Sequence, residues 1–394
     1  MSEELENSVR ETLKSTTWTR AGIRDFTKSN LVELSQMLER VFEENCNKQI
    51  KEICDDQLKK TNDSIVALYL SGMIALRDRS LDNSNLVALV DILEKNHKES
   101  LIENLCDSIL KEDPQNKFAL RKLAEFYKEA NNDKVWELYE QIVKIDLEEA
   151  DIAKILAERY ESQNNQDLAV SYYKKALLRY VGNHNTSSVK EIWSKLVSLI
   201  PEEIDFFLLI QRKIAKSISE TKSADLMQEL YQYYKDTSKW DTAISILKLI
   251  LSIDNKDSWA RREITECFRG KYSDHSHLED YIRTSNLDTS FRNVFEAIND
   301  FEKHISFDAK NYVFHRTWGV GIITKVQGDQ LTINFGKKNG IHPMSLKMAV
   351  SALQPLAKDH IWVLKATKKR EELSKMVKND VEGTLKTIIK SFDN

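Results

Sequence analysis

The side chains best suited to gripping a partner lie in one stretch, Tyr312–Phe335, YVFHRTWGVGIITKVQGDQLTINF, and in the turn that follows it. Phe314, Arg316 and Trp318 fall within five residues, and aromatic and arginine side chains are the types that anchor protein interfaces. Trp318, at the lip of a bent sheet, would serve equally well as core filling. Lys337 and Lys338 stand on the next turn, where they would meet RNA, DNA or an acidic protein surface, or simply remain hydrated. Gly319-Val-Gly321 is not a nucleotide fingerprint, because Thr324 stands where a third glycine belongs and a strand follows where a helix is needed.

Metal and covalent chemistry have weaker claims. His275 and His277, with Asp274, Glu279 and Asp280 nearby, have the donor types that suit a divalent cation. A His-x-His pair without a third spaced ligand is more often a polar turn, so no metal site is assigned. Cys46, Cys54, Cys106 and Cys267 show no paired spacing and read as reduced, buried thiols, the cytosolic pattern. No Ser/His/Asp, Cys/His or paired-carboxylate arrangement stands out, so no catalytic residue and no cofactor is assigned, and the expectation is a protein that is not an enzyme.

The element that positions the first cluster is the only clear β pattern in the chain. Val320–Val326 and Gln330–Phe335 flank Gly328, and five of the ten glycines fall between Gly319 and Gly340. The remainder reads as helix. Leu123-Ala124-x-x-Tyr127 recurs 33 residues later as Leu156-Ala157-x-x-Tyr160, and the second copy continues with Ala169, Tyr173 and Ala176 at the offsets of tetratricopeptide repeats. Tyr231, Tyr234, Ala243, Leu247 and Ile250 repeat the pattern, Val189, Trp193, Leu196 and Pro201 read as another second helix, and the loops of 182–226 are degenerate. The fold expected is mostly α. It comprises N-terminal helices over 1–100, a right-handed α-solenoid of tetratricopeptide-like hairpins over 101–304, a small SH3-like β-barrel over 305–357 and a helical tail over 358–394.

Charge is divided along this plan. From Ile305 to Asn394 there are 15 Lys and Arg against 8 Asp and Glu, although the whole chain carries −4. A basic terminal module on an acidic scaffold is suited to a negatively charged partner. The concave face of the solenoid would take a protein or peptide, unless Tyr172, Tyr173, Tyr231, Tyr233 and Tyr234 merely pack between helices. The longest near-apolar run, Ile65–Leu76, is too short to span a bilayer, and the charged start is unlike a signal peptide, so a cytoplasmic protein is expected.

The β stretch, with its Trp318-Gly-Val-Gly321 string and its ending from Ser345 and Leu346 to Leu353-Gln-Pro355-Leu356, resembles the RNA-polymerase-interacting module of the CarD and transcription-repair coupling factor family. It is also similar to the Tudor-like tail of UvrD-type helicases. Taken with the helical repeats and the tail from Asp359, the arrangement resembles the N-terminal extension of long bacterial GreA-type transcription factors. That resemblance implies an RNA polymerase accessory role, with polymerase as the partner of the β module. The acidic-tipped coiled coil of the Gre module is not found, so no cleavage residue is carried over. A general peptide-binding or chaperone-like repeat protein with a purely structural barrel is the alternative.

Overall fold

The computed structural model describes residues 2–15, 20–80, 82–275, 277–287, 289, 291–368 and 370–392, so Ser276 of the His-Ser-His stretch lies outside the described residues. The chain forms two compact units, Met1–Ile200 and Pro201–Asn394.

Among the described residues, the first unit is built from helices and the turns that join them. Its early helices gather around Ile65–Arg77, which is buried at every position from Ile65 to Leu76 and so behaves as a central core helix. Gly72 is required there, because a Cβ at that position would come within 2.7 Å of Leu86 Cγ on the helix Ser84–Lys95. Beyond it, Lys117–Glu129 packs on Lys134–Ile145, and Asp151–Ser162 on Gln166–Gly182. The 33-residue period maps onto these hairpins: Leu123 and Ala124, like Leu156 and Ala157, are 3% exposed or less, and Ala169 and Ala176 fill the seam in the second.

One kind of turn joins these helices. Asn131, Asn164 and His184 adopt left-handed φ values of 49°, 59° and 56°. The following N–H groups of Asn132, Asn165 and Asn185 then reach back to the carbonyls of Tyr127, Tyr160 and Tyr180 at 2.8, 2.9 and 3.0 Å. This closes the orphaned helix end. The side chains of Asn165 and Asn185 accept in turn from the N–H groups of Leu168 and Ser188, capping the next helix. A single asparagine ends one helix and starts another. The scaffold therefore needs few glycines.

The second unit continues the scheme through Ile204–Ser217, Glu220–Asp236, Trp240–Ile253 and Ser258–Lys271. The stretch with degenerate loops between its helices, 182–226, keeps regular helices. Ser219 caps Glu220–Asp236, and Gln211 Nε2 donates to Ser223 Oγ at 3.0 Å in the buried seam between the two helices. Tyr231, Ala243 and Leu247 are fully buried, and Tyr234 donates to the Pro201 carbonyl at 3.0 Å. Helices Leu278–Ser285 and Val294–Ile305 lead into the strands.

Strands β1 (Tyr312–His315), β2 (Gly319–Gln327), β3 (Gln330–Asn334), β4 (Ile341–Ser345) and β5 (Leu353–Leu356) form one antiparallel sheet in the order β4-β3-β2-β1-β5. The closed SH3-like barrel expected from the sequence is thus corrected to an open five-stranded sheet. Both edges carry proline, Pro343 on β4 and Pro355 on β5, the residue with no N–H to donate to a further strand. Val313, Ile323, Leu331 and Ile333 are wholly buried on one face, which the helix Leu346–Ala352 covers. Three helices, Ile361–Thr367, Arg370–Asn379 and Val381–Phe392, form the tail.

Candidate partner-binding surface

Trp318 sits in the turn between β1 and β2, and the register of the sheet brings two imidazoles onto it. His315 stacks on one side and His342, from β4, on the other, each with ring centroids 4.0 Å away and planes within 20° of the indole. Phe335 closes the group at 5.2 Å. His315 is locked by its Nδ1, which accepts from the N–H groups of Thr317 and Trp318 at 3.2 Å. His342 Nε2 donates to the Asn339 carbonyl at 2.7 Å, and the Asn339 side-chain amide donates to the Trp318 carbonyl at 2.9 Å. Asn339 thereby ties the short helical turn Gly336–Asn339 to the β1–β2 turn. Gly321 makes room: a Cβ there would lie 2.6 Å from the Phe335 ring.

Trp318 ends up half-buried, a part of the packing with a surface still open to solvent. Around it, Arg316, Lys337 and Lys338 are exposed, and none of them forms an ion pair among the described residues. Those cations stay uncompensated, which suits an anionic partner surface. Phe314 is placed differently from the other candidates. It lies on the opposite side of β1 and stacks on Trp362 of the tail at 4.2 Å, and Trp362 in turn meets Phe392. Its role is to fasten tail to sheet. Sequence reasoning missed His342 and Asn339, whose approach depends on β4 pairing, with His342 opposite Ile333.

Other candidates resolve as follows. His275 and His277 come together with ring centroids 6.5 Å apart, and His275 Nε2 lies 3.5 Å from Asp308 Oδ2. Burial pushes the His275 pKa down, against the pull of Asp308, and favours the neutral ring. Among the described residues no group of three or more His, Cys, Asp or Glu could hold a metal ion. Glu279 is instead gripped by Arg269, at 2.8 and 3.0 Å. All four cysteines are buried and unbonded to one another. Of the repeat tyrosines, Tyr173, Tyr231 and Tyr234 pack between helices, while Tyr172 and Tyr233 are half-buried. Tyr172 stacks on Tyr160 at 5.6 Å with the planes 9° apart, and Lys175 lies over it. No helix among the described residues is long and apolar enough to cross a membrane.

Fold and surface together define a helical-hairpin repeat protein that carries an open sheet with an aromatic, basic lip. No family model matches the chain. Over 94% of its length it is 48% identical to a GreA-associated domains protein of Treponema pallidum, covering 56% of that protein. It is 35% identical over 96% of its length to transcription elongation factor GreA of Borreliella burgdorferi, covering 42% of it. The resemblance to long GreA-type factors therefore holds along nearly the whole chain, which spans about half the length of the curated relatives it matches. Solved structures with similar stretches include a tetratricopeptide repeat protein from Parabacteroides merdae, 14% identical, covering 60% of this chain and 97% of that one at a TM-score of 0.21. A second is the MamA protein, 16% identical, covering 55% and 91% at a TM-score of 0.20.

Proposed function

We propose that this chain is a non-catalytic accessory region of a transcription elongation factor, in which the sheet lip docks on RNA polymerase and the helical hairpins hold a second protein. The observation that carries this reading is the half-buried Trp318, clamped between His315 and His342 and surrounded by the unpaired cations Arg316, Lys337 and Lys338. A rigid indole inside a charged rim is the arrangement in which a few side chains supply most of an interface's affinity. The GreA-related names of the relatives point to polymerase as the surface it meets.

Trp318→Ala and Arg316→Ala, each in the intact chain, are expected to weaken binding to purified RNA polymerase by about tenfold, equivalent to roughly 1.4 kcal/mol. Far-UV circular dichroism should be unchanged, since helices dominate the signal. Unaltered affinity in two well-folded variants would remove the lip from the interface. A second reading, a general peptide-binding repeat protein with a structural sheet, is favoured by the half-buried Tyr160–Tyr172 stack with Lys175 over it. It predicts that Tyr172→Ala, and not Trp318→Ala, abolishes partner capture.

A further inference from the structure

The helix Ser258–Lys271 in the second unit borders a cavity of about 390 Å³, whose lining side chains include four cations, Lys256, Arg261, Arg262 and Arg269, and one acid, Glu266. Two of these charges cancel locally. Arg269 holds Glu266 at 2.6 Å and Glu279 on its other edge. Asp257 is occupied in capping the helix, its Oδ1 accepting from the N–H groups of Trp259 and Ala260 at 2.9 and 3.0 Å.

The other three cations are not neutralised in this way. Arg261 donates to the carbonyls of Asn255, Thr289 and Arg292 at 2.9, 3.0 and 3.1 Å. Three carbonyls fix its plane and engage three of its five N–H donors, and no carboxylate among the described residues pairs with it. Arg262 Nε makes only a loose pair with Glu263, 3.9 Å from its Oε1, while Lys235 and the Tyr231 hydroxyl share its Oε2. Lys256 is exposed and has no ion pair among the described residues.

A guanidinium anchored by backbone carbonyls has little rotamer freedom left to lose, so its two remaining donors are preorganised. With two flexible cations on the same cavity, the site matches a multiply charged oxyanion better than a single carboxylate. The volume sits at the small end of ligand pockets and exceeds what a bare ion fills. We propose that this cavity binds a phosphate group, carried by a phosphate ester, through Arg261, Lys256 and Arg262. The site stands apart from the lip and does not depend on polymerase docking.

Isothermal titration calorimetry on the whole chain tests this with three probes: inorganic phosphate, a nucleoside monophosphate and a short single-stranded oligonucleotide. The expected result is saturable binding of at least one phosphate probe, falling with salt, and weakened about tenfold by Lys256→Glu with Arg262→Glu. Both positions are exposed, so the double variant should keep its fold by circular dichroism. Arg261→Lys, which keeps charge but not the planar fork, should also weaken binding and serves as the milder second variant. Preference for the nucleotide over the oligonucleotide, or the reverse, supports the site and identifies the source of the phosphate. Absence of binding by the parent chain to all three probes overturns the proposal, as does equal binding by parent and double variant.

Discussion

Ala169→Trp and Ala243→Trp should each lower the stability of the unit that holds them by about 1–3 kcal/mol, the usual consequence of forcing a large side chain into a packed seam. Ala169 is 1% exposed and Ala243 0%, each on the second helix of a hairpin where two backbones approach. Because the positions lie in different units, Met1–Ile200 and Pro201–Asn394, the two variants should shift different parts of a thermal unfolding profile. Parent-like melting by both would mean that the repeat register is misplaced.

Gly321→Val is expected to act on stability and on the lip together. The added Cβ would meet the Phe335 ring at 2.6 Å and Ile333 Cγ2 at 2.9 Å, and both neighbours belong to the β3 side of the sheet core. Ile333 and Phe335 are both buried, at 0% and 5% exposed, so neither yields without disturbing the packing around it. Phe335 supports Trp318, and a cost of about 1–3 kcal/mol should accompany a shift of Trp318 into water. Difference fluorescence against a Trp318→Phe background reads that second effect. An unchanged emission spectrum and unchanged melting would show that Gly321 is not the contact that seats the ring.

Much of the scaffold is legible in the residues. The recurrence of a large, a small and an aromatic residue at fixed offsets is a local pattern, and Leu156, Ala157 and Ala169 are buried as it requires. The departures have physical causes. Where the repeat offsets fail, Ser219 caps its helix and the buried Gln211–Ser223 hydrogen bond joins two helices through polar side chains that no apolar pattern reports. The open sheet carries proline on both edges, a fact present in the sequence but meaningful only once β4 and β5 are known to be the edges.

The candidate surface is legible in part. Trp318, Arg316, Lys337 and Lys338 share one short region, so their types alone single them out as candidates. Phe314 was grouped with them by proximity in sequence, yet strand alternation turns it to the opposite face, against Trp362. His342 and Asn339 were invisible because they reach Trp318 only through pairing of β3 with β4. The Arg261 clamp draws on carbonyls from Asn255 to Arg292, a separation no local pattern reports.

The most direct test of the central claim is the affinity of the whole chain for RNA polymerase at low and high salt, for the parent and for Lys337→Glu with Lys338→Glu. Docking through the lip requires measurable binding that weakens as salt rises, since the rim charges are exposed and screened. The charge-reversed chain should bind more weakly at low salt and lose most of its salt dependence. Failure of the parent chain to bind, or binding indifferent to both salt and charge reversal, would contradict docking through the lip.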